Sequence, residues 1–134
     1  MEKSLDKKYY FSNQIYDQEL DNIFYSDWIC CGREEDIDSE GSYRIFTIGN
    51  ENLFIIRDKN NEIRVFHNFC KHRGCQILGD ERSSPLKRNI RCPYHSWTYN
   101  FDGSLYKAPH LDIDIKDKKF HLNSVRNKTW GGFI

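Results

Sequence analysis

The sequence predicts an all-β domain, a small antiparallel β-sandwich or barrel preceded by a short helix. Three observations lead there. Aromatic residues make up 15% of 134 residues, and such side chains suit the pleated surface of a sheet better than a helix bundle. From Trp28 onward the chain breaks into short apolar runs, each bounded by turn-forming residues. A chain of this length makes one compact domain with a modest core rather than two lobes.

Residues 1–11 read as a polar arm, and the arm as a whole runs over 1–16, with the folded domain at 17–134. In DQELDNIF, Leu20, Ile23 and Phe24 fall at i, i+3 and i+4. This spacing predicts an amphipathic helix over Asp17 to Phe24 covering one edge of the domain. Six or seven strands follow, read from WICCG, SYRIFTIG, NENLFIIRD, KNNEIRVFH, NIRCPYHSW, TYNFDGSLY and KTWGGFI. Asn50 to Asn52 and Asp58 to Asn61 are compact connectors. Asp102-Gly103 matches a two-residue hairpin turn. The charged stretch KDKKF around Lys116 to Lys119 reads as a solvated loop.

Twenty basic and twenty acidic residues cancel, which removes the long-range attraction expected of a nucleic-acid or acidic-membrane binder. The N-terminal MEKSLDKKYYF carries charges where a signal peptide needs an apolar run, and no stretch approaches membrane-spanning length. A cytoplasmic protein is expected. Its five cysteines then serve as metal ligands or core residues rather than bridges.

Two short motifs carry chemistry. Cys70-x-His72 is followed, after nineteen intervening residues, by Cys92-x2-His95. A Cys2His2 set admits a tetrahedral zinc ion, or a two-iron, two-sulfide cluster with thiolates on one iron and imidazoles on the other. A zinc finger takes both cysteines from one knuckle and both histidines from a helix, whereas here each loop supplies one of each. In a cluster, that arrangement lets each loop reach across both irons.

At this point the chain resembles a known family. CKHRGCQIL followed by CPYHSWTYNFDGSL is similar to the Rieske iron-sulfur domain, whose fold is the Rieske-type sandwich, and more narrowly to the version in the large subunits of Rieske non-heme iron oxygenases. ELDNIFYSDWICCG and the closing TWGGFI extend the resemblance over residues 17–134. It implies a [2Fe-2S] cluster with Cys70 and Cys92 on one iron and His72 and His95 on the other. The activity implied is one-electron transfer in an oxygenase component that hydroxylates or demethylates a small organic substrate. No catalytic residue is expected in this chain, because the mononuclear Fe(II) of the family belongs to a catalytic domain absent here, so the chain reads as a fragment. An NAD(P)H-dependent reductase or a ferredoxin is the implied electron donor, and large subunits of the family form trimers, whereas this fragment alone can be monomeric. A free Rieske-type ferredoxin is the alternative reading.

Ser96 stands where the family commonly has glycine, and its hydroxyl either tunes the cluster or faces solvent. Cys75 matches a cysteine that high-potential Rieske proteins bridge to the second loop, but Tyr94 occupies the partner position, leaving Cys75 as a small buried residue. Cys30 and Cys31 point to opposite faces of a strand and read as core. His110 and His121 lie near Asp112, Asp114 and Asp117 without the family's spacing for mononuclear iron, and with His67 they read as surface residues. Lys71, Arg73 and Lys87 to Arg91 read as a solvated face or a docking rim. Gly74 is expected to let backbone approach the sulfides, Pro93 to stiffen the second loop, and Tyr94 and Trp97 to shield the cluster.

Overall fold

A computed structural model describes residues 3–79 and 85–134, in two compact units, Met1–Cys30 and Cys31–Ile134. In the first unit, α1 (Lys8–Phe11) is a single turn and α2 (Asn13–Glu19) runs into a π-helical turn over Leu20–Phe24. The helix begins four residues before the expected Asp17, and of the expected apolar stripe only Leu20 is buried, while Ile23 and Phe24 are exposed. The turn widens where Tyr25 N donates to Leu20 O at 2.8 Å.

The second unit holds two antiparallel three-stranded sheets. The first is a meander of β1 (Tyr43–Ile48), β2 (Glu51–Arg57) and β3 (Ile63–His67), and the second joins β4 (Ile90–Arg91), β5 (Thr98–Tyr99) and β6 (Leu105–Lys107). Strand β2 reads as the unbroken apolar run LFII because both of its faces are covered. Phe54 and Ile56 join the main core with Phe66, Ile90, Trp97, Tyr99 and Leu105, while Ile55 packs with Ile37, Val65 and Ile134 on the other side.

The first hairpin turns at Gly49-Asn50, and Asn52 already pairs with Thr47 inside β2. The second connector lies where expected. Buried Asp58 accepts from the amides of Asn60 and Glu62 at 2.8 and 2.9 Å and pairs with Arg64. Asp102-Gly103 is not a two-residue hairpin turn. Gly103 N donates back to Asn100 O at 3.0 Å, only Gly103 has a left-handed φ, +85°, and Asp102 caps the turn by accepting from the Ser104 amide and hydroxyl. Glycine is required there twice over, since a Cβ would also lie 2.4 Å from Phe66 Cε1.

WICCG and KTWGGFI are not full strands. Cys31 N donates to Ile134 O, Ile134 N to Gly32 O and Glu34 N to Gly132 O, a brief ladder that ends because Gly131 and Gly132 are left-handed. Part of the spacer between the two motifs, 80–84, lies outside the described residues. Pro85 to Arg88 is mostly exposed.

Candidate metal centre

Both motifs sit where strands run out. The first loop leaves β3 at His67 and the second leaves β4 at Arg91. The two loops close in the same way. Cys70 N donates to Cys75 O at 2.8 Å and Gly74 N to Cys70 O at 2.9 Å; Cys92 N donates to Trp97 O at 2.8 Å and Ser96 N to Cys92 O at 3.2 Å. In each, the fourth residue after the cysteine is left-handed, Gly74 at φ +66° and Ser96 at φ +60°. The conformation explains why glycine is the expected residue at both places. A Cβ on Gly74 would meet no protein atom within 4 Å among the described residues, and its left-handed φ is what calls for glycine.

The four motif side chains converge in pairs. The Cys70 and Cys92 thiols are 1% and 2% exposed and interact with each other. Across from them the His72 and His95 rings lie 4.9 Å apart between centroids. Trp97 stacks on His72 at 5.0 Å with 6° between planes, and Tyr94 lies 3.8 Å from the His95 ring. Both aromatic rings thus lie against the imidazoles, Trp97 buried and Tyr94 exposed.

Burial pushes the Cys70 thiol up, while burial and the charges of Arg73 and His95 hold His72 below the ordinary histidine value. His72 is therefore neutral near pH 7, as a metal-ligating imidazole must be. His95 Nδ1 is buried with no hydrogen-bond partner among the described residues. An orphaned ring nitrogen beside a second imidazole and two buried thiols fits metal ligation. Among the described residues no three His, Cys, Asp or Glu side chains are grouped around a point for one metal ion. The set divides two and two, thiols with thiols and imidazoles with imidazoles.

Three residues that matter here escape a reading of the sequence. Tyr99 Oη accepts from Lys71 N at 3.1 Å and lies 3.1 Å from Cys70 Sγ, so its own proton is free to donate to the sulfur. Burial, followed by the Cys70 thiol, raises the Tyr99 pKa and keeps that proton in place. Asn68, 2% exposed, donates to Asn52 Oδ1 and Leu78 O at 2.7 Å and accepts from Leu78 N at 2.9 Å, tying the foot of the first loop to its far arm. Arg91 donates to Ser96 Oγ at 2.7 Å, so the Ser96 hydroxyl is held by a cation rather than left in solvent.

The remaining candidates fall elsewhere. Cys30 is exposed rather than core, while Cys31 packs on the smaller cluster and donates to Ile134 O at 3.5 Å. Cys75 is only half-buried rather than buried, its thiol donating to Gln76 O at 3.3 Å. Lys71 binds Asn123, and Arg73, Lys87 and Arg88 are exposed. His67 pairs with Glu51, His110 is exposed, and His121 follows a short 3-10 turn.

The family model for the Rieske [2Fe-2S] domain matches residues 27–122. The chain belongs to the Rieske [2Fe-2S] domain family. It is 38% identical over 130 residues to a carnitine monooxygenase oxygenase subunit of Acinetobacter baumannii, covering 96% of this chain and 34% of that protein. With a glycine betaine monooxygenase oxygenase subunit of Pseudomonas aeruginosa it shares 30% over 132 residues, 98% of this chain and 30% of the relative. Among solved structures, the quaternary ammonium Rieske monooxygenase CntA in complex with L-carnitine superposes with a TM-score of 0.85 at 31% identity, over 95% of this chain and 36% of the other. The Rieske domain described here therefore spans about a third of the length of these relatives. Its cofactor is a [2Fe-2S] cluster, and the antiparallel two-sheet fold expected from the sequence is the Rieske fold. No helix among the described residues is long and apolar enough to cross a membrane.

Proposed function

We propose that this domain is the electron-entry module of an oxygenase component, with Cys70 and Cys92 holding one iron of the cluster and His72 and His95 the other. The observation that supports it most directly is the two-and-two convergence of buried thiols and paired imidazoles from two loops of like build. When bound, such a cluster supplies one-electron chemistry at a potential raised by nitrogen ligation of one iron. The chain's own residues do the rest. Burial of both thiols excludes water from the sulfur side. Tyr99 donates to Cys70, and Trp97 fixes the plane of the His72 ring. His72 and His95 remain partly exposed, which leaves the imidazole edge as the face where electrons arrive and leave.

An NAD(P)H-dependent reductase or a ferredoxin docks at that edge, guided by the exposed cations Arg73, Lys87 and Arg88. The oxygenase acts in the cytoplasm, where thiol ligands stay reduced. Its mononuclear iron belongs to a separate catalytic domain. The likeness to carnitine and glycine betaine monooxygenase subunits supports a quaternary ammonium compound as substrate. Inter-subunit electron transfer is described for the CntA relative, and the same route between protomers of a trimer is proposed here.

Anaerobic reconstitution with ferrous iron and sulfide tests the ligand set. A coloured domain with two irons and two sulfides, and a low-average-g electron paramagnetic resonance signal on reduction, is expected. A colourless protein, or a stable zinc complex in its place, overturns the assignment. Oxygen uptake by the whole oxygenase with a reductase and carnitine or glycine betaine separates an oxygenase from a free electron carrier.

A further inference from the structure

Among the described residues, three buried side-chain polar atoms lack a hydrogen-bond partner: His95 Nδ1, Trp97 Nε1 and His121 Nε2. Two of the three belong to rings packed on the same imidazole, since His95 meets His72 edge-on at 4.9 Å and Trp97 lies flat against it at 5.0 Å. Metal ligation accounts for His95 Nδ1. It does not account for Trp97 Nε1, because an indole nitrogen carries a hydrogen and can only donate. Trp97 is 2% exposed, and a donor buried without an acceptor destabilises the fold that buries it.

The rings around the indole offer that N–H nothing. With 6° between the planes, the in-plane lone pairs of His72 do not point at Trp97. Phe120, edge-on at 5.9 Å, has no acceptor at all. The indole is nevertheless firmly placed. The Trp97 carbonyl accepts from Cys92 N at 2.8 Å and closes the second loop, and the side chain packs in the same core cluster as Cys70 and Cys92. A buried donor is therefore held against one candidate imidazole, within the packing that surrounds both candidate thiols. A [2Fe-2S] cluster brings what this donor lacks, since its sulfides accept hydrogen bonds and its potential depends on them.

We propose that Trp97 tunes the cluster by donating its indole N–H to a cluster sulfide. Such a bond is stronger to the reduced, more negative cluster, so Trp97 raises the potential beyond what nitrogen ligation of one iron supplies. This role differs from covering the His72 ring, which any aromatic side chain at the position would do. It rests on the ligand reading above, because it needs the cluster bound between the two loops.

The full chain is produced with tryptophan isotope-labelled at the indole nitrogen alone, reconstituted with iron and sulfide, reduced with dithionite and studied by pulsed electron paramagnetic resonance. An isotropic coupling of the labelled nitrogen to the cluster spin is expected, since it requires orbital overlap through a hydrogen bond. It should vanish in Trp97→Phe and persist when Trp28 and Trp130, 63% and 84% exposed, are both changed to Phe. In redox titration, Trp97→Phe should show an equilibrium constant for reduction about fivefold smaller than wild type. Absence of the coupling in the labelled wild-type chain, or an unchanged potential in Trp97→Phe, overturns the proposal. The wild-type spectrum decides the matter even if the Phe variant does not fold. A chain that stays colourless after reconstitution sinks the ligand reading and this proposal together, whereas a coloured chain with the low-average-g signal but no coupling sinks this proposal alone.

Discussion

The loop of Cys70 and the loop of Cys92 share one backbone design but differ in what braces it. Each is closed by the same two hydrogen bonds, and each bends through a left-handed fourth residue. The first spends a glycine at that bend and ties its foot to β2 and its far arm through Asn68, with Tyr99 reaching in from the second sheet. The second puts Ser96 at the bend, clamped by the neighbouring Arg91, with Thr98 Oγ1 donating to Ser96 O at 3.0 Å. The histidine comes two residues after the cysteine in one loop and three in the other. Repeated backbone geometry therefore places the sulfurs, while unlike side chains decide how firmly each loop is held.

Removing the brace of the first loop should have the largest effect. Asn68→Ala leaves the buried amide of Leu78 without its partner and the Leu78 carbonyl with Gln76 Nε2 alone, a loss of about 2 kcal/mol, read from denaturant unfolding of the cluster-free chain. A loss below about 1 kcal/mol would show that the two loops are held equally. Tyr99→Phe removes the bond from Lys71 N and the donor to Cys70, costing about 1 kcal/mol in stability. A hydrogen bond to the sulfur favours the more negative, reduced form, so the loaded variant should show a potential lower by about 40 mV in redox titration. An unchanged potential would mean that the hydroxyl serves only Lys71.

Smaller changes sharpen the contrast at the bends. Ser96→Gly relieves a left-handed L-residue at the cost of an exposed bond to Arg91, and the variant should gain up to about 1 kcal/mol. A destabilised variant would show that the Arg91 clamp outweighs the strain. Arg73→Gln should raise the His72 pKa toward the ordinary histidine range, because Arg73 is the second cause of its depression after burial. His72 binds its proton more weakly folded than unfolded, so its contribution to stability is present above the ordinary histidine value and is lost as pH falls through the folded value. The variant narrows that window. Nuclear magnetic resonance titration of the cluster-free chain gives the direction, and no change would leave burial and His95 as the causes.

Much of the site is legible in the sequence because it is local. Cys70 and His72, and Cys92 and His95, each lie within four residues, and the turn signals that flank them place both pairs past strand ends, where they are found. The apolar runs likewise mark β1, β2 and β3. The runs at either end of the second unit misled, since apolar residues alone do not reveal that Gly131 and Gly132 turn left-handed and cut the ladder short. The Asp-Gly dipeptide misled for a similar reason. A one-residue shift of the turn, which lets Asp102 cap Ser104 and sets Gly103 against Phe66, is decided by packing between the two sheets.

From the order of residues alone came an all-β domain and two Cys/His pairs whose spacing suits an iron-sulfur cluster. These follow from local periodicity and motif chemistry. Only the folded chain could bring Tyr99 to Cys70 and clamp Ser96 with Arg91. The first contact joins residues far apart in the chain and depends on how the second sheet registers over the first; the second depends on a backbone conformation that serine does not announce.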